Sequence, residues 1–323
     1  MNKLLLDQIY AFFRLIRWQN LTIIVITQLL VRYCIIAPIL KFADLSLQLS
    51  GFFFSLVVLS TAMIAAAGYV INDYFDRKAD LVNKPEEVIV GKRIKIRSAM
   101  ALHILFNFIG IVTGFYVSIS IGEPLLGLVF VTVGGLLWFY STSYKRQLLM
   151  GNFIVAILTA LVPLIVFLFE YPLLKSAYGG LLTVYGSIIK YLAAWILGYS
   201  GFAFVLTLAR EIIKDAEDFE GDHAFGSQTI PIVIGTFWTK AIIVILFVIT
   251  LIAMFYVYLM YLNDRFTLYF ICIMMAIPII FNVYKVIGAS SNRDYKIASL
   301  ITKIILINGL IYALLVNSII PRF

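Results

Sequence analysis

The sequence predicts an all-α, polytopic membrane helix bundle of about nine transmembrane helices. Three observations carry this. Hydrophobic residues make up 63% of the 323 residues and charged residues only 13%, against about 25% charged in soluble domains, so the chain lacks the polar surface that water demands. The apolar residues gather into runs close to the roughly 20 that cross a bilayer as a helix. The basic residues collect in the short intervals between those runs, which assigns the net charge of +8 to membrane orientation rather than to nucleic acid.

Residues 1–18 are expected as an amphipathic interfacial segment. Leu5, Ile9, Phe12 and Ile16 recur at helical spacing, and Lys3, Asp7, Arg14 and Arg17 fall elsewhere. The segment lacks the apolar core and small-residue cleavage site of a secretory signal. Residues 19–323 are expected as a single transmembrane domain. Its spans are read at 19–40, 50–71, 98–119, 122–141, 152–171, 184–209, 239–261, 266–288 and 298–320, separated by Gly, Pro, Asn or charge clusters. Cys34 and Cys272 lie inside apolar runs without metal-ligand spacing and are read as packing residues.

With the N-terminus on one side, that side's intervals carry Lys3, Arg14, Arg17, Arg77, Lys78, Lys84, Lys92, Arg93, Lys95, Arg97, Lys145, Arg146, Arg210, Lys214, Lys240, Lys285, Arg293 and Lys296. The opposite side carries Lys41, Lys175, Lys190, Arg265 and Arg322. This bias predicts that the first side is cytoplasmic. The two longest intervals, about 72–97 and 210–238, both fall on it.

The chemistry sits in those two intervals. The first reads Asn72-Asp73-Tyr74-Phe75-Asp76-Arg77-Lys78-Ala79-Asp80, and the second runs from Arg210 through Asp215 and Asp218 to Asp222. Both carry acids at spacings of three and four, which align on one face if the preceding helix continues. Clustered carboxylates repel one another, and a bound cation removes that cost. Oxygen-only ligands favour Mg²⁺ or Ca²⁺, and Mg²⁺ completes its shell with water and substrate phosphate. Two such clusters on one membrane face are expected to clamp a diphosphate, with Arg77, Lys78, Lys145, Arg146, Arg210 and Lys214 as cations able to offset its charge. Tyr69, Phe75, Tyr140, Tyr144 and Tyr199 are candidates to stabilise an allylic cation by location.

At these residues the chain resembles the UbiA superfamily of intramembrane prenyltransferases. The pattern Asn-Asp-x-x-Asp-x-x-x-Asp is complete as Asn72, Asp73, Asp76 and Asp80, and Asp-x-x-Asp-x-x-x-Asp as Asp215, Asp218 and Asp222. A third family feature follows as Tyr140-Ser141-Thr142-Ser143-Tyr144-Lys145-Arg146, then Gly151-Asn152. The resemblance implies two Asp-rich cytosolic loops capping a central cavity. It implies that Asn72, Asp76, Asp218 and Asp222 hold a Mg²⁺–diphosphate most directly, with Asp73, Asp80 and Asp215 in support. Asp76, Asp218, Lys145 and Arg146 take the catalytic roles. Substrate binding falls to Asn20, Asn72, Arg77, Tyr140, Tyr144, Asn152, Arg210 and Lys214. Asn20 stands in Arg17-Trp18-Gln19-Asn20, where the family's second residue is Pro.

The second motif, with Gln228-Thr229-Ile230-Pro231-Ile232 after it, is similar to the digeranylgeranylglyceryl phosphate synthase branch. Those enzymes join a second geranylgeranyl chain to a prenylglyceryl phosphate. The expected partners are thus a prenyl diphosphate, a lipid-like acceptor and membrane lipid, with no nucleic acid. The first interval departs from that branch: Glu87 stands for an Arg and Val90 for a Pro. An aromatic acceptor of quinone or haem pathways therefore stays open. A cation transporter predicts acids deep within the spans, whereas these acids lie at span ends. Of the other polar residues, His103 is read as packing, His223 as solvated, Glu123 and Glu170 as structural, Lys303 as snorkelling, and Arg32 as an intramembrane cation that binds an acceptor phosphate or pairs within the protein.

Overall fold

The computed structural model describes residues 3–83 and 85–319. Lys84, Arg322 and Ile320, the last residue of the ninth predicted span, lie outside the described residues. Among the described residues nine helical stretches are long and apolar enough to cross a membrane: Trp18–Phe42, Gly51–Lys78, Ile96–Ser120, Pro124–Thr142, Met150–Gly180, Gly186–Glu217, Ile230–Leu262, Arg265–Gly288 and Asn292–Val316. Each overlaps its predicted run. The seventh begins well before the predicted residue 239. Pro231 occupies its first turn, where the missing N–H costs nothing. Gly235, at φ 79° and ψ 164°, then breaks the helix and obscures its true start in the sequence.

The helices are α1 (Lys3–Leu15), α2 (Trp18–Leu30), α3 (Ala37–Phe42), α4 (Gly51–Asn83), α5 (Ile96–Ser120), α6 (Leu128–Thr142), α7 (Met150–Glu217), α8 (Phe219–Ala224), α9 (Ile230–Val257), α10 (Arg265–Phe270), α11 (Ile277–Gly288) and α12 (Asn292–Ile319). π-helical stretches at Val31–Ile36, Tyr258–Leu262 and Ile271–Ala276 continue the first, seventh and eighth spans. α7 is helical on both sides of the stretch where the sequence predicts a connection between two spans, Met150–Gly180 and Gly186–Glu217. Yet Asn152 Nδ2 and Asp215 Oδ2, near its two ends, are 2.7 Å apart. A straight helix would hold them about 95 Å apart, so the chain doubles back within this run.

The chain forms two compact units: Met1–Leu29, Leu47–Lys145 and Ile165–Gly186 make one; Leu30–Ser46, Arg146–Leu164 and Ser187–Phe323 make the other. In the first, Ala11 and Leu15 of α1 are fully buried among Val70, Ile89, Val90 and Ala99, so α1 is anchored by packing as well as by amphipathicity. Small residues bring α4, α5 and α6 together: a Cβ at Gly114 would sit 2.1 Å from the Phe130 ring, and one at Gly110 2.7 Å from Ile64. Ser60 Oγ donates across this contact to the Gly110 carbonyl. His103 is satisfied as predicted, its Nδ1 3.0 Å from the Ala67 carbonyl and Asn107 against its ring nitrogens. Glu170 is fully buried and accepts the Leu49 N–H at 3.0 Å, the structural part expected of it.

In the second unit a core of Ile212, Ile213, Ile243, Phe247, Ile279, Val286, Ala298 and Ile305 joins α7, α9, α11 and α12. Asn282 donates to Thr302 at 2.8 Å inside it. Arg32 lies on the π-helical stretch Val31–Ile36, is 3% exposed, and holds its guanidinium 5.6 Å from the centre of the Tyr33 ring.

Candidate active site

In the first unit the acid motif occupies the last turns of α4, not a loop, which corrects the expectation of an Asp-rich loop there. Helical backbone bonding persists to Asn83, and the spacing of three and four then puts Asp73, Asp76 and Asp80 on neighbouring turns of one face. Cations from elsewhere in the unit offset the repulsion between them. Arg17 Nη2 meets Asp73 Oδ1 at 3.0 Å, and Lys145 Nζ forms an ion pair with Asp76. Asp76 is buried, and Asn72 Nδ2 donates to its Oδ2 at 2.8 Å. The other face of that amide, Asn72 Oδ1, is buried with no hydrogen-bond partner.

Arg17 reaches Asp73 because the chain turns sharply between α1 and α2, with Arg17 in the left-handed region at φ 49°. That conformation costs about 1–2 kcal/mol for a residue with a Cβ, a strain the Asp73 pair helps to offset. The guanidinium also covers the Tyr69 ring at 5.0 Å. On the adjoining face of α4, Phe75 packs edge-on against Trp138 at 5.6 Å and Tyr74 at 5.2 Å. Gly91, at φ 89°, lets the 88–95 turn pass close to Arg77, whose Cδ would lie 3.1 Å from a Cβ there.

In the second unit α7 ends at Glu217 and Asp218 leaves helical geometry at φ −93°, ψ 13°, so the acids are not one uninterrupted helix face as expected. Asp215 stands on α7, Asp218 at the break and Asp222 on α8. The turn stays compact because the Asp218 N–H bonds the Lys214 carbonyl at 2.9 Å and the Asp222 N–H bonds the Asp218 carbonyl at 3.0 Å. Asp215 is held by the Asn152 amide at 2.7 Å. Arg210 Nη1 and Lys214 Nζ both serve Glu211, at 3.0 and 3.2 Å. The Arg146 carbonyl accepts the Gln228 N–H at 2.9 Å, tying the start of this unit's second segment to the stretch after α8.

Among the described residues no three His, Cys, Asp or Glu side chains converge to hold a metal. Mg²⁺ takes only one or two carboxylates and fills its shell with water and phosphate. Asn72 and Asp76 suit that demand: a buried carboxylate beside a buried amide oxygen that lacks a donor, both hard oxygen ligands.

A model of the UbiA prenyltransferase family matches residues 40–306, which contain both acid motifs. This chain belongs to the UbiA prenyltransferase family. As a UbiA-family chain with nine apolar spans among its described residues it is an integral, multi-pass membrane protein. It is 32% identical over 245 residues to the digeranylgeranylglyceryl phosphate synthase of Methanosphaera stadtmanae, 76% of this chain and 79% of that protein. A solved structure of digeranylgeranylglyceryl phosphate synthase in membranes shares the fold at a TM-score of 0.62 and 22% identity, covering 95% of this chain and 99% of that one. A UbiA homologue from Archaeoglobus fulgidus bound to DMAPP and Mg²⁺ shares it at a TM-score of 0.56 and 18% identity, covering 94% and 99%.

Within this UbiA-family chain the structure joins Asn72, Asp76 and Lys145 in one cluster, and Asn152 with Asp215 in another. Tyr144 is half-buried beside Phe139, at 6.1 Å between ring centres, and Arg146 is exposed. Asn20 is half-buried, its N–H bonded to the Arg17 carbonyl at 2.8 Å. His223 is exposed and stacks on Phe219. Tyr199 stacks on Trp195 and its hydroxyl is buried without a partner. Arg17 is the site residue that sequence reasoning took for a membrane anchor. Its signal was present in the Arg17-Trp18-Gln19-Asn20 stretch, but nothing in the chain order links it to Asp73, 56 residues on.

Proposed function

We propose that this chain transfers a geranylgeranyl group from its allylic diphosphate to the hydroxyl of a prenylglyceryl phosphate, an ether-lipid step like that of the synthases it matches. The observation that carries the reaction class is the Asn72–Asp76–Lys145 cluster, an oxygen-donor pair flanked by an ammonium. The relatedness to the Methanosphaera stadtmanae synthase supports the acceptor, and the Mg²⁺ and DMAPP bound by the Archaeoglobus fulgidus homologue support the metal and the donor.

In this reading Asn72, Asp76, Asp218 and Asp222 hold Mg²⁺, with Asp73, Asp80 and Asp215 in support. Mg²⁺ held by those oxygens would supply the charge neutralisation that makes diphosphate a better leaving group. Lys145 and Arg146 place fixed positive charge beside the oxygens that gain charge as the bond breaks. Arg77, Arg210, Lys214, Asn20, Tyr140, Tyr144 and Asn152 orient the substrates. The C1–O bond to diphosphate breaks with its electron pair leaving on oxygen, the acceptor oxygen bonds C1, and the acceptor proton departs to solvent or diphosphate. Apolar spans keep water from the allylic cation, and aromatic faces such as those of Phe75, which packs against Trp138 and Tyr74, can stabilise it. Residues 19–323 act as one prenyltransferase domain. The Lys and Arg distribution supports a cytoplasmic N-terminus and cytoplasmic acid motifs.

The test is mass spectrometry of products from purified protein given geranylgeranyl diphosphate, Mg²⁺ and a panel of geranylgeranylglyceryl phosphate and aromatic acids. The expected product is the doubly prenylated glyceryl phosphate. Turnover of an aromatic acid alone would overturn the acceptor assignment.

A further inference from the structure

Glu211 stands on α7 four residues before Asp215, outside the Asp-x-x-Asp-x-x-x-Asp pattern. Two cations converge on its carboxylate: Arg210 Nη1 lies 3.0 Å from Oε1 and Lys214 Nζ lies 3.2 Å from Oε2. The lysine pair has an ordinary helical spacing of three residues. The arginine pair does not. Adjacent residues point about 100° apart around a helix and do not face each other. A 3.0 Å contact between them therefore requires the Arg210 side chain to bend towards Glu211. Arg210 and Lys214 are four residues apart, a spacing at which like charges repel. Glu211 thus holds close two cations that would otherwise separate. The backbone beneath them is fixed, because Ile212 and Ile213 are fully buried in the core with α9, α11 and α12.

The carboxylate leaves the cations open to a ligand. The Glu211 side chain is 12% exposed, whereas those of Arg210 and Lys214 are 26% and 37% exposed. Arg210 Nε is buried with no hydrogen-bond partner, and a buried donor without an acceptor is costly. Asp215 does not meet it and accepts from the Asn152 amide instead. A phosphate group matches this arrangement, since its oxygens accept from a guanidinium and an ammonium together.

We propose that Glu211 is a positioning residue for substrate phosphate. It gathers Arg210 and Lys214 into a clamp in which the Arg210 Nε–H and the Lys214 ammonium take the phosphate oxygens. Glu211 itself touches neither phosphate nor metal. The inference rests on the reading that Arg210 and Lys214 orient a phosphate-bearing substrate. The prenyl diphosphate and the glyceryl phosphate acceptor both offer that chemistry.

The experiment measures KM and kcat for full-length wild type, Glu211→Gln, the pair Arg210→Gln with Lys214→Gln, and that pair with Glu211→Gln added. Mg²⁺ is present throughout, and geranylgeranyl diphosphate and geranylgeranylglyceryl phosphate are varied in turn. Glu211→Gln is expected to raise the KM of at least one substrate about tenfold with kcat unchanged, the pattern of lost ground-state binding. The substrate affected identifies the phosphate that the clamp holds. Added to the doubly substituted protein, Glu211→Gln should leave KM where it is, because no cation remains to be positioned. Arg210→Lys, which keeps the charge but removes Nε–H, should raise the same KM. A purely structural Glu211 would lower the melting temperature and the active fraction, hence kcat, and leave both KM values in place. That result, an unchanged KM in Arg210→Lys, or a further KM rise in the doubly substituted protein would overturn the proposal. Wild-type protein without turnover would overturn the proposed function separately. Equilibrium binding of inorganic pyrophosphate then decides Glu211: weaker binding in Glu211→Gln than in wild type supports the clamp, and equal binding overturns it.

Discussion

The two acid motifs have the same spacing but are held in different ways. In the first unit the carboxylates are met by cations brought from distant parts of the chain, Arg17 to Asp73 and Lys145 to Asp76. In the second unit Asp215 is met by a neutral amide, Asn152, and the cations Arg210 and Lys214 are drawn instead to Glu211, which lies outside the Asp-x-x-Asp-x-x-x-Asp pattern. The first arrangement sets a positive charge against Asp76, the acid to which the proposed function gives the chemistry. The second holds Asp215 by a hydrogen bond from Asn152 and pairs its cations with Glu211, one turn earlier. Identical spacing is thus met in two ways: cations on Asp73 and Asp76 in the first unit, and a neutral amide on Asp215 in the second.

Substitutions can break this comparison. The largest effect is expected from Asp76→Ala, which removes the carboxylate shared by Asn72 and Lys145. Turnover should fall by roughly a thousandfold or more, with a folded protein by melting temperature, because Lys145 is 29% exposed and can turn to water. Lys145→Met comes next. It leaves Asp76 its Asn72 bond but removes the fixed charge, and should lower kcat about a hundredfold with little change in Mg²⁺ requirement, read from steady-state rates against Mg²⁺.

Asn152→Ala tests the second motif. It takes the donor from Asp215 and should cost about tenfold to a hundredfold in activity, as outer-shell orienting groups do, and about 1–3 kcal/mol in a denaturation measurement. An Asn152→Ala effect as large as that of Asp76→Ala would erase the distinction between the two motifs. The smallest effect belongs to Arg17→Gln. The guanidinium is exposed, and exposed ion pairs contribute about 0–1 kcal/mol, so the KM for the prenyl diphosphate should shift less than about tenfold.

Much of this was legible in the sequence because membrane solvent imposes a simple grammar. Nine apolar runs read as helices, since a bilayer admits only helices and closed barrels and runs of about 20 residues are twice a barrel strand, and each run has its span. The acid spacing announced one helix face, and α4 extends to Asn83 to provide it. What the sequence concealed depends on tertiary contact or on single backbone angles. Asp218 ends α7 through its own dihedrals, and no residue type in the motif announces that break. Gly235 hides the start of a span behind one left-handed residue. The connection between the fifth and sixth spans was legible, but the Asn152–Asp215 bond that ties them, 63 residues apart, was not. Arg17 looks like any basic residue on an amphipathic helix until the turn at its own φ of 49° aims it at Asp73.

The central claim is that both motifs bind one Mg²⁺–prenyl diphosphate. The most direct measurement is equilibrium binding of a non-ionising thio analogue of geranylgeranyl diphosphate, with and without Mg²⁺, to wild type, Asp76→Asn and Asp218→Asn. Mg²⁺-dependent binding in wild type, lost in both variants, is the predicted result. Wild-type affinity in either variant would contradict the claim.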